Sequence, residues 1–406
     1  MRKFIIFLLT ILACHVFSQN GYTVEQAIAD ALKNNEGIKA ARLMEQQQQK
    51  LKRTAFDLPK TNLMLMTGQY NSYSSDKNFT VTQSIPFTAF GSQRKLLNAQ
   101  AEASSLQRVG SENELVFQVK QTYQQLLYMM ALYKLRQQQD SLYDGFMKAA
   151  IARHRAGEAT LLEKTTSEMQ RQQSSIMLQQ SEADIETWLM QLISLTRTPE
   201  PIKLNETMIP LSWDGNTDTV RIFQNPSTKL AQQQIQVANA LKKVETSKLA
   251  PELVLGYFNQ SLIGTINPDN LNKATSSKRF TGLQVGLALP IFFNAQQARV
   301  KAATFGEMAE RSAYANHKNV LNAQWQSAVR QYQKNESTLN YYQTSASVNA
   351  SLILKQSSAA FAKGEIDYSA YLSGLQRANS IRESSLQSLH DFNQSIIYLQ
   401  YLSAEK

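Results

Sequence analysis

The sequence predicts a mainly α-helical chain with a small membrane β-sheet. Long antiparallel coiled-coil helices join four strands per chain, arranged in two similar halves. Three observations predict this. Two long stretches lack both glycine and proline. Two pairs of alternating segments interrupt the helical texture. The order of these features then occurs twice.

Composition sets the limits first. Of 406 residues, 18% are charged, below the roughly 25% of soluble domains. Glutamine fills part of the gap, with 43 in the chain, as in Gln46–Gln49 and Gln137–Gln139. Only 15 Gly and 9 Pro are present, too few for most all-β or collagen-like architectures. The single cysteine excludes a disulfide scaffold, a thiolate zinc site and an iron–sulfur cluster.

The N-terminus reads as an export signal. Met1-Arg2-Lys3 is basic, Phe4–Ala13 is apolar but too short to span a bilayer, and Val16-Phe17-Ser18 precedes a cleavage site before Gln19. A retained core helix is the other reading. Ile11-Leu12-Ala13-Cys14 also loosely resembles a lipidation box, although Leu12 is bulky for it. Removing Arg2 and Lys3 lowers the net charge from +10 to +8. That charge is spread without a Lys/Arg block, so it describes a solvated surface and no nucleic-acid partner. No later run of some 18 apolar residues follows, so no transmembrane helix is expected.

Residues 307–363 and 158–198 contain neither Gly nor Pro. At 1.5 Å per residue the first would form a helix of roughly 85 Å. Its polar texture with scattered apolar residues suits a coiled coil better than a globule. Val116, Val119, Tyr123, Leu126, Met130 and Tyr133 alternate in steps of three and four, a heptad seam. Trp325, Val329, Tyr332 and Leu339 form a weaker one, with Glu336 in the expected slot.

Thr61–Tyr73 and Phe79–Phe87 are rich in β-formers and flank a polar turn at Asn71–Asn78, a hairpin. Glu252–Leu262 and Phe280–Leu289 repeat the pattern around a longer polar connection, Ile263–Arg279. Thr281, Leu283, Val285, Leu287 and Leu289 share one face; Gly282, Gln284, Gly286 and Ala288 share the other.

The halves align at three points. Leu58-Pro59 matches Ala250-Pro251, Ile85-Pro86-Phe87 matches Leu289-Pro290-Ile291, and His154–Glu158 matches Phe361–Glu365. The expected division is a leader at 1–18, a first repeat at 19–198, a connection at 199–225 and a second repeat at 226–406. Pro201, Pro210 and Trp213-Asp214-Gly215 mark the connection.

Strands of about 9–12 residues are long enough to cross a bilayer when tilted. One apolar and one small or polar face suits a wall between lipid and lumen, and aromatics such as Tyr70, Tyr73, Phe87, Phe90, Phe292 and Phe293 sit near strand ends. A soluble sheet with one core face alternates in the same way. Four strands cannot close a barrel, and open edges are not tolerated in lipid, so a membrane reading requires oligomers. Three copies would supply twelve strands.

The mature chain resembles the TolC family of outer-membrane efflux proteins over nearly its whole length. Tyr22-Thr23-Val24-Glu25-Gln26-Ala27 followed by Ala31-Leu32-Lys33-Asn34-Asn35 is similar to the family's first helix. The strand-to-helix corners Pro86 and Pro290 and the turns at Gly157 and Gly364 also match. The resemblance implies a homotrimer with a 12-stranded barrel above an α-helical periplasmic tunnel. It implies outer-membrane lipid, a periplasmic adaptor (membrane fusion protein) and an inner-membrane RND-type pump as partners. It also places the adaptor at the helix tips, flanked here by Arg155, Gly157, Leu161, Lys363, Gly364 and Ile366. An entrance carboxylate is expected at Glu163, where the second half has Ala370. Glu365 and Asp367 lie nearer the tip, and Tyr368 and Tyr371 are candidate constrictions. Helix-surface roles remain open for all of these.

Nothing in the sequence supports catalysis or a cofactor. His154, His317 and His390 share no ligand spacing, and there is no P-loop, G-x-S-x-G or G-x-G-x-x-G. Asp184 and Glu186 fit a helix surface. Met64, Met66, Met129 and Met130 suit packing in a core or against lipid better than a soft-metal path. The sequence thus predicts a passive outer-membrane channel of an efflux system, with a slight lean to the heavy-metal branch. A type I secretion conduit, an exported coiled-coil protein without a pore and, least supported, a periplasmic enzyme are the rivals.

Overall fold

The computed structural model describes residues 21–71, 73–198 and 202–405. The expected leader with Cys14, the cut before Gln19, and Pro199 and Pro201 of the connection lie outside them. The described elements are helices α1 (Val24–Asn34) and α2 (Glu36–Leu51), strands β1 (Asn62–Gly68) and β2 (Asp76–Ile85), and helices α3 (Phe87–Arg155), α4 (Leu161–Thr196) and α5 (Pro226–Ser247). Strands β3 (Glu252–Gln260) and β4 (Phe280–Ala288) follow, then helices α6 (Asn294–Tyr341), α7 (Ser347–Ala362) and α8 (Tyr368–Ser403).

Two compact units divide the chain, and each draws on both sequence halves. In the first, comprising residues up to 35, 115–214 and 331–397, the opening motif has a physical explanation. Thr23 caps α1 and exchanges hydrogen bonds with Gln26. Ala27 and Ala31, one turn apart, are buried, and Asn35 Nδ2 donates to the Leu195 carbonyl of α4 (3.1 Å). The small side chains let α1 lie close to its neighbours, and the amide fastens its end.

The heptad seam on α3 is present but broader than expected. Val119, Tyr123 and Leu126 are buried, and so are Leu115, Leu127, Tyr128 and Leu132. A two-helix seam buries one narrow stripe, so α3 has cover on several sides. Within the connection, Asn393 of α8 is fully buried. Its amide donates to the Ile209 carbonyl (2.8 Å) and accepts from Leu211 N–H (2.9 Å). Leu211 and Trp213 then pack on Leu339, Phe392 and Ile396.

The stretch 307–363 is helical as expected, with one departure. Tyr342–Ala346 forms a π-helical turn between α6 and α7. Leu321, Trp325, Ala328, Asn335, Leu339, Ala346 and Ala350 are buried along this run, with Tyr332 and Tyr342 half-buried. Their steps alternate four and three until Ala346, where two fours fall together. The π turn absorbs the extra residue and keeps the stripe on one side.

The second unit, residues 36–114, 215–330 and 398 onward, carries the sheet. Its order is β1-β2-β3-β4, all antiparallel. The central pair β2–β3 joins the two halves of the sequence. β1 has 7 residues, shorter than Thr61–Tyr73, because Gly68 at φ 146° ends the pairing. β2 begins at Asp76, inside the expected turn, where the carboxylate is buried and accepts from Ser261 Oγ (2.8 Å) and Ile263 N–H (2.9 Å). Beneath the strands, α2 is tied to α3 by Arg108 Nε and Glu45 (2.6 Å). Asn225 caps α5 and also donates to the Leu402 carbonyl of α8 (3.0 Å).

Candidate functional site

The register sorts the sheet into two chemically distinct faces. Leu63, Val81, Tyr257 and Leu283 are direct neighbours in one row across the strands. Gln83, Leu255 and Val285 form the next row, and Ile85, Leu253 and Leu287 the one after. On the opposite face lie Asn62, Thr82, Gly256 and Gln284, then Met64, Thr80, Phe258 and Gly282. Met64 and Met66 therefore belong to the small and polar face, not the apolar one where packing against lipid would place them.

Among the described residues, little covers the apolar face. Leu63, Leu65, Phe79, Leu255, Tyr257, Leu283, Val285 and Leu287 are 40–83% exposed. A soluble sheet would bury this face on a core. Such a contiguous apolar surface marks contact with membrane or partner. The corners differ between the hairpins. After Pro86 the helix begins at once with Phe87, whereas Pro290 is followed by the exposed Ile291, Phe292 and Phe293 before α6 starts.

The helix tips are built alike. Gly157 has φ 79° and Gly364 φ 74°, the left-handed region where a side chain is strained. At the first tip, Gly157 N–H donates to the His154 carbonyl (3.1 Å) and Glu158 N–H to that of Arg153 (2.8 Å). At the second, Gly364 N–H donates to Phe361 (3.0 Å) and Glu365 N–H to Ala360 (2.9 Å). Both are glycine-terminated helix ends of the same design. Thr160 then caps α4 by accepting from Glu163 N–H (3.1 Å), and Asp367 caps α8 by accepting from Ala370 N–H (2.8 Å).

This geometry locates each expected site residue. Arg155, Leu161 and Lys363 are exposed around the tips, and Ile366 is half-buried. Lys363 lies 3.7 Å from Glu365. Asp367 is occupied as a helix cap. Glu163 accepts from Arg153 Nη1 (3.0 Å), and Arg153 also lies over the Phe361 ring (5.8 Å). Glu163 is thus ion-paired within its own tip. Tyr371 is 3% exposed and sits between Phe361 (4.8 Å, stacked) and Phe146 (4.8 Å). The Tyr368 phenol is half-buried, and burial pushes its pKa up, with the Glu163 charge adding to the shift. Both tyrosines thus pack within the tip.

One feature of the first unit is not apparent from motifs. A cleft of about 460 Å³ opens between α3, α4 and α8. Gln118, Gln121 and Gln125 of α3 line it with Trp188 and Gln191 of α4 and Gln394, His390 and Asp391 of α8. Elsewhere on the same helices Leu126, Met130 and Leu189 meet the segment Ile202–Asn205. The helices α3 and α4 thus carry an apolar surface toward the connection and an amide-rich surface toward the cleft. His390 Nδ1 is 3.2 Å from Asp391 Oδ1, and its ring packs on Tyr128 (4.7 Å). The hydrogen bond with His390 holds the Asp391 carboxyl below the usual carboxylate range.

Among the described residues, no group of three or more His, Cys, Asp or Glu is placed to hold a metal, and no helix is long and apolar enough to cross a membrane.

No family model and no curated protein matches the sequence. Solved structures do match the fold. CusC, studied for the conformational changes that accompany folding and transmembrane channel formation, is 14% identical, with 94% of this chain and 92% of that chain covered and a TM-score of 0.79. The Campylobacter jejuni CmeC outer membrane channel is 13% identical, with coverages of 94% and 85% and a TM-score of 0.79. The outer membrane protein VceC of Vibrio cholerae is 13% identical, with coverages of 94% and 95% and a TM-score of 0.76. The chain therefore has the fold of bacterial outer-membrane channel proteins, mostly helical with a four-stranded antiparallel sheet.

Proposed function

We propose that this protein is the outer-membrane conduit of a tripartite efflux system. Three copies would join their sheets into one barrel of twelve strands, apolar face to lipid and polar face to water. The helices would continue the conduit through the periplasm. The two halves of the chain would be duplicated units, and the glycine tips would meet a periplasmic adaptor linked to an inner-membrane pump. The conduit is passive, so the pump supplies the energy. The observation that carries this reading is the exposed, mostly apolar face that runs across four antiparallel strands whose outer edges are β1 and β4. An open edge in lipid leaves backbone groups without partners, and closure with other copies removes it.

The cargo reading follows from the cleft and the tips. Five glutamines line the cleft, its one carboxylate, Asp391, is hydrogen-bonded to His390, and Glu163 is matched by Arg153. Neither feature favours cations over neutral solutes, so the reading is a broad small-molecule conduit, with no support for the metal branch.

A pair of neighbouring substitutions tests the function. Leu283→Lys places a charge on the proposed lipid face, at a cost of about 2–4 kcal/mol near the bilayer midplane. Gln284→Lys places the same charge on the proposed lumen face. Leu283→Lys should abolish recovery in the outer membrane, while Gln284→Lys should insert normally and change ion conductance. Equal behaviour of the two variants would defeat the reading.

A further inference from the structure

The cleft between α3, α4 and α8 is assembled from one face of each helix. Helix α3 contributes Gln118, Gln121 and Gln125, and α4 contributes Trp188, Gln191 and Leu195, both in steps of three and then four. Helix α8 adds His390, Asp391 and Gln394. Residues at such steps lie side by side on a helix surface. Three helices thus turn a face toward one volume of about 460 Å³, within the range of small-molecule sites, roughly 300–1,000 Å³.

Gln394 organises the polar groups. Its Nε2 donates to the Gln121 carbonyl (3.1 Å) and lies 3.2 Å from His390 Nε2. A carbonyl only accepts, so the Gln121 contact fixes which end of the amide is nitrogen. His390 Nε2 then accepts from the same amide, and its proton sits on Nδ1, 3.2 Å from Asp391 Oδ1. That Oδ1 also accepts from Gln387 Nε2 (2.7 Å). Gln394 Oε1 is left buried without a hydrogen-bond partner. A buried acceptor in that state is unfavourable until a donor reaches it. The side-chain amides of Gln121, Gln125 and Gln191 are likewise engaged by no described residue.

These groups favour one ligand chemistry. An amide carries a donor and an acceptor together, as a hydroxyl does. Half-buried Trp188 offers an apolar ring face. A sugar ring combines the two complements: an apolar C–H face and a rim of uncharged hydroxyls. An anion would meet amide oxygens and Asp391, while the His390 proton is directed at Asp391. An organic cation would find a single carboxylate whose Oδ1 already accepts twice.

We propose that this cleft binds a neutral saccharide. Trp188 covers the ring face, Gln121, Gln125 and Gln191 meet the hydroxyls, and one hydroxyl donates to Gln394 Oε1. Every lining residue belongs to one chain and one compact unit, so the site goes beyond the conduit reading and does not depend on it.

The test is calorimetric titration of maltose into the full chain, held in a detergent without a sugar headgroup. Saturable binding in the millimolar range is expected. Trp188→Ala should weaken it about tenfold, because the ring face is lost. Gln191→Ala should weaken it several-fold, and its exposed position on α4 keeps the fold intact if the tryptophan variant misfolds. Choline and gluconate, a cation and an anion, should each bind at least several-fold more weakly than maltose. No saturation by maltose up to about 50 mM would overturn the proposal. Unchanged affinity in both variants would overturn it too, and so would choline or gluconate binding as tightly as maltose. The channel reading survives each of these results, because it rests on the sheet.

Discussion

At the scale of single residues, the tip acids and the cleft acid differ in what they do. Asp367 accepts from Ala370 N–H, and a cap needs an acceptor more than a charge. Asp367→Ala should cost about 1 kcal/mol of stability, while Asp367→Asn should cost little. Thermal unfolding of both variants checks this, and a large loss of transport in the Asn variant would restore an entrance role for the charge. Asp391 answers to pH. Its folded carboxyl titrates lower than its unfolded one because of the His390 hydrogen bond. Its contribution is therefore complete above the ordinary carboxylate pKa of about 4 and is lost as pH falls through the lower folded value. Asp391→Asn should thus lower the unfolding temperature at pH 6, and the gap from the parent should narrow as pH falls below about 4. A constant difference across that range would refute the assignment.

At the scale of elements, the turns were the most legible parts. Gly157 and Gly364 each need positive φ, and replacing either by Ala should cost roughly 1–2 kcal/mol. The loss would appear as faster amide exchange at Glu158 and Glu365, whose N–H groups close the two helix ends. Strand pairing was legible too, because alternation fixes the face of every residue; Leu283 and Gln284 fall on the expected sides. Three things are not. Thr61–Tyr73 overruns β1 because Tyr70 and Tyr73 continue its β-forming composition past Gly68, where the pairing ends. The capping role of Asp367 depends on where a helix starts. Ser167, Ser174 and Ser181 of α4 are buried, and only the packing of the helices shows it.

At the scale of the whole molecule, the exposed apolar face of the sheet makes one demand. A monomer in water would leave it wet, at a cost of about 25 cal/mol for each Å² of apolar surface. Extracted from outer membranes in mild detergent, the protein should therefore run near three protomers. A soluble periplasmic monomer would replace the channel with the exported coiled-coil reading. The amide-rich cleft is legible only as composition: the sequence shows 43 glutamines, but not that Gln118, Gln191 and Gln394 meet on three helices.

The π turn at Tyr342–Ala346 has one more consequence. Elsewhere in the run from Asn294 to Ala362, losing one residue would rotate everything beyond it by about 100°. The second tip would then present the wrong side. Within the π turn, the same loss merely relaxes five residues into an ordinary α-helix, and the phase of the buried stripe is kept. This turn is thus the one place in the run where evolution or an engineer can shorten the protein by a single codon and leave its tip facing as before.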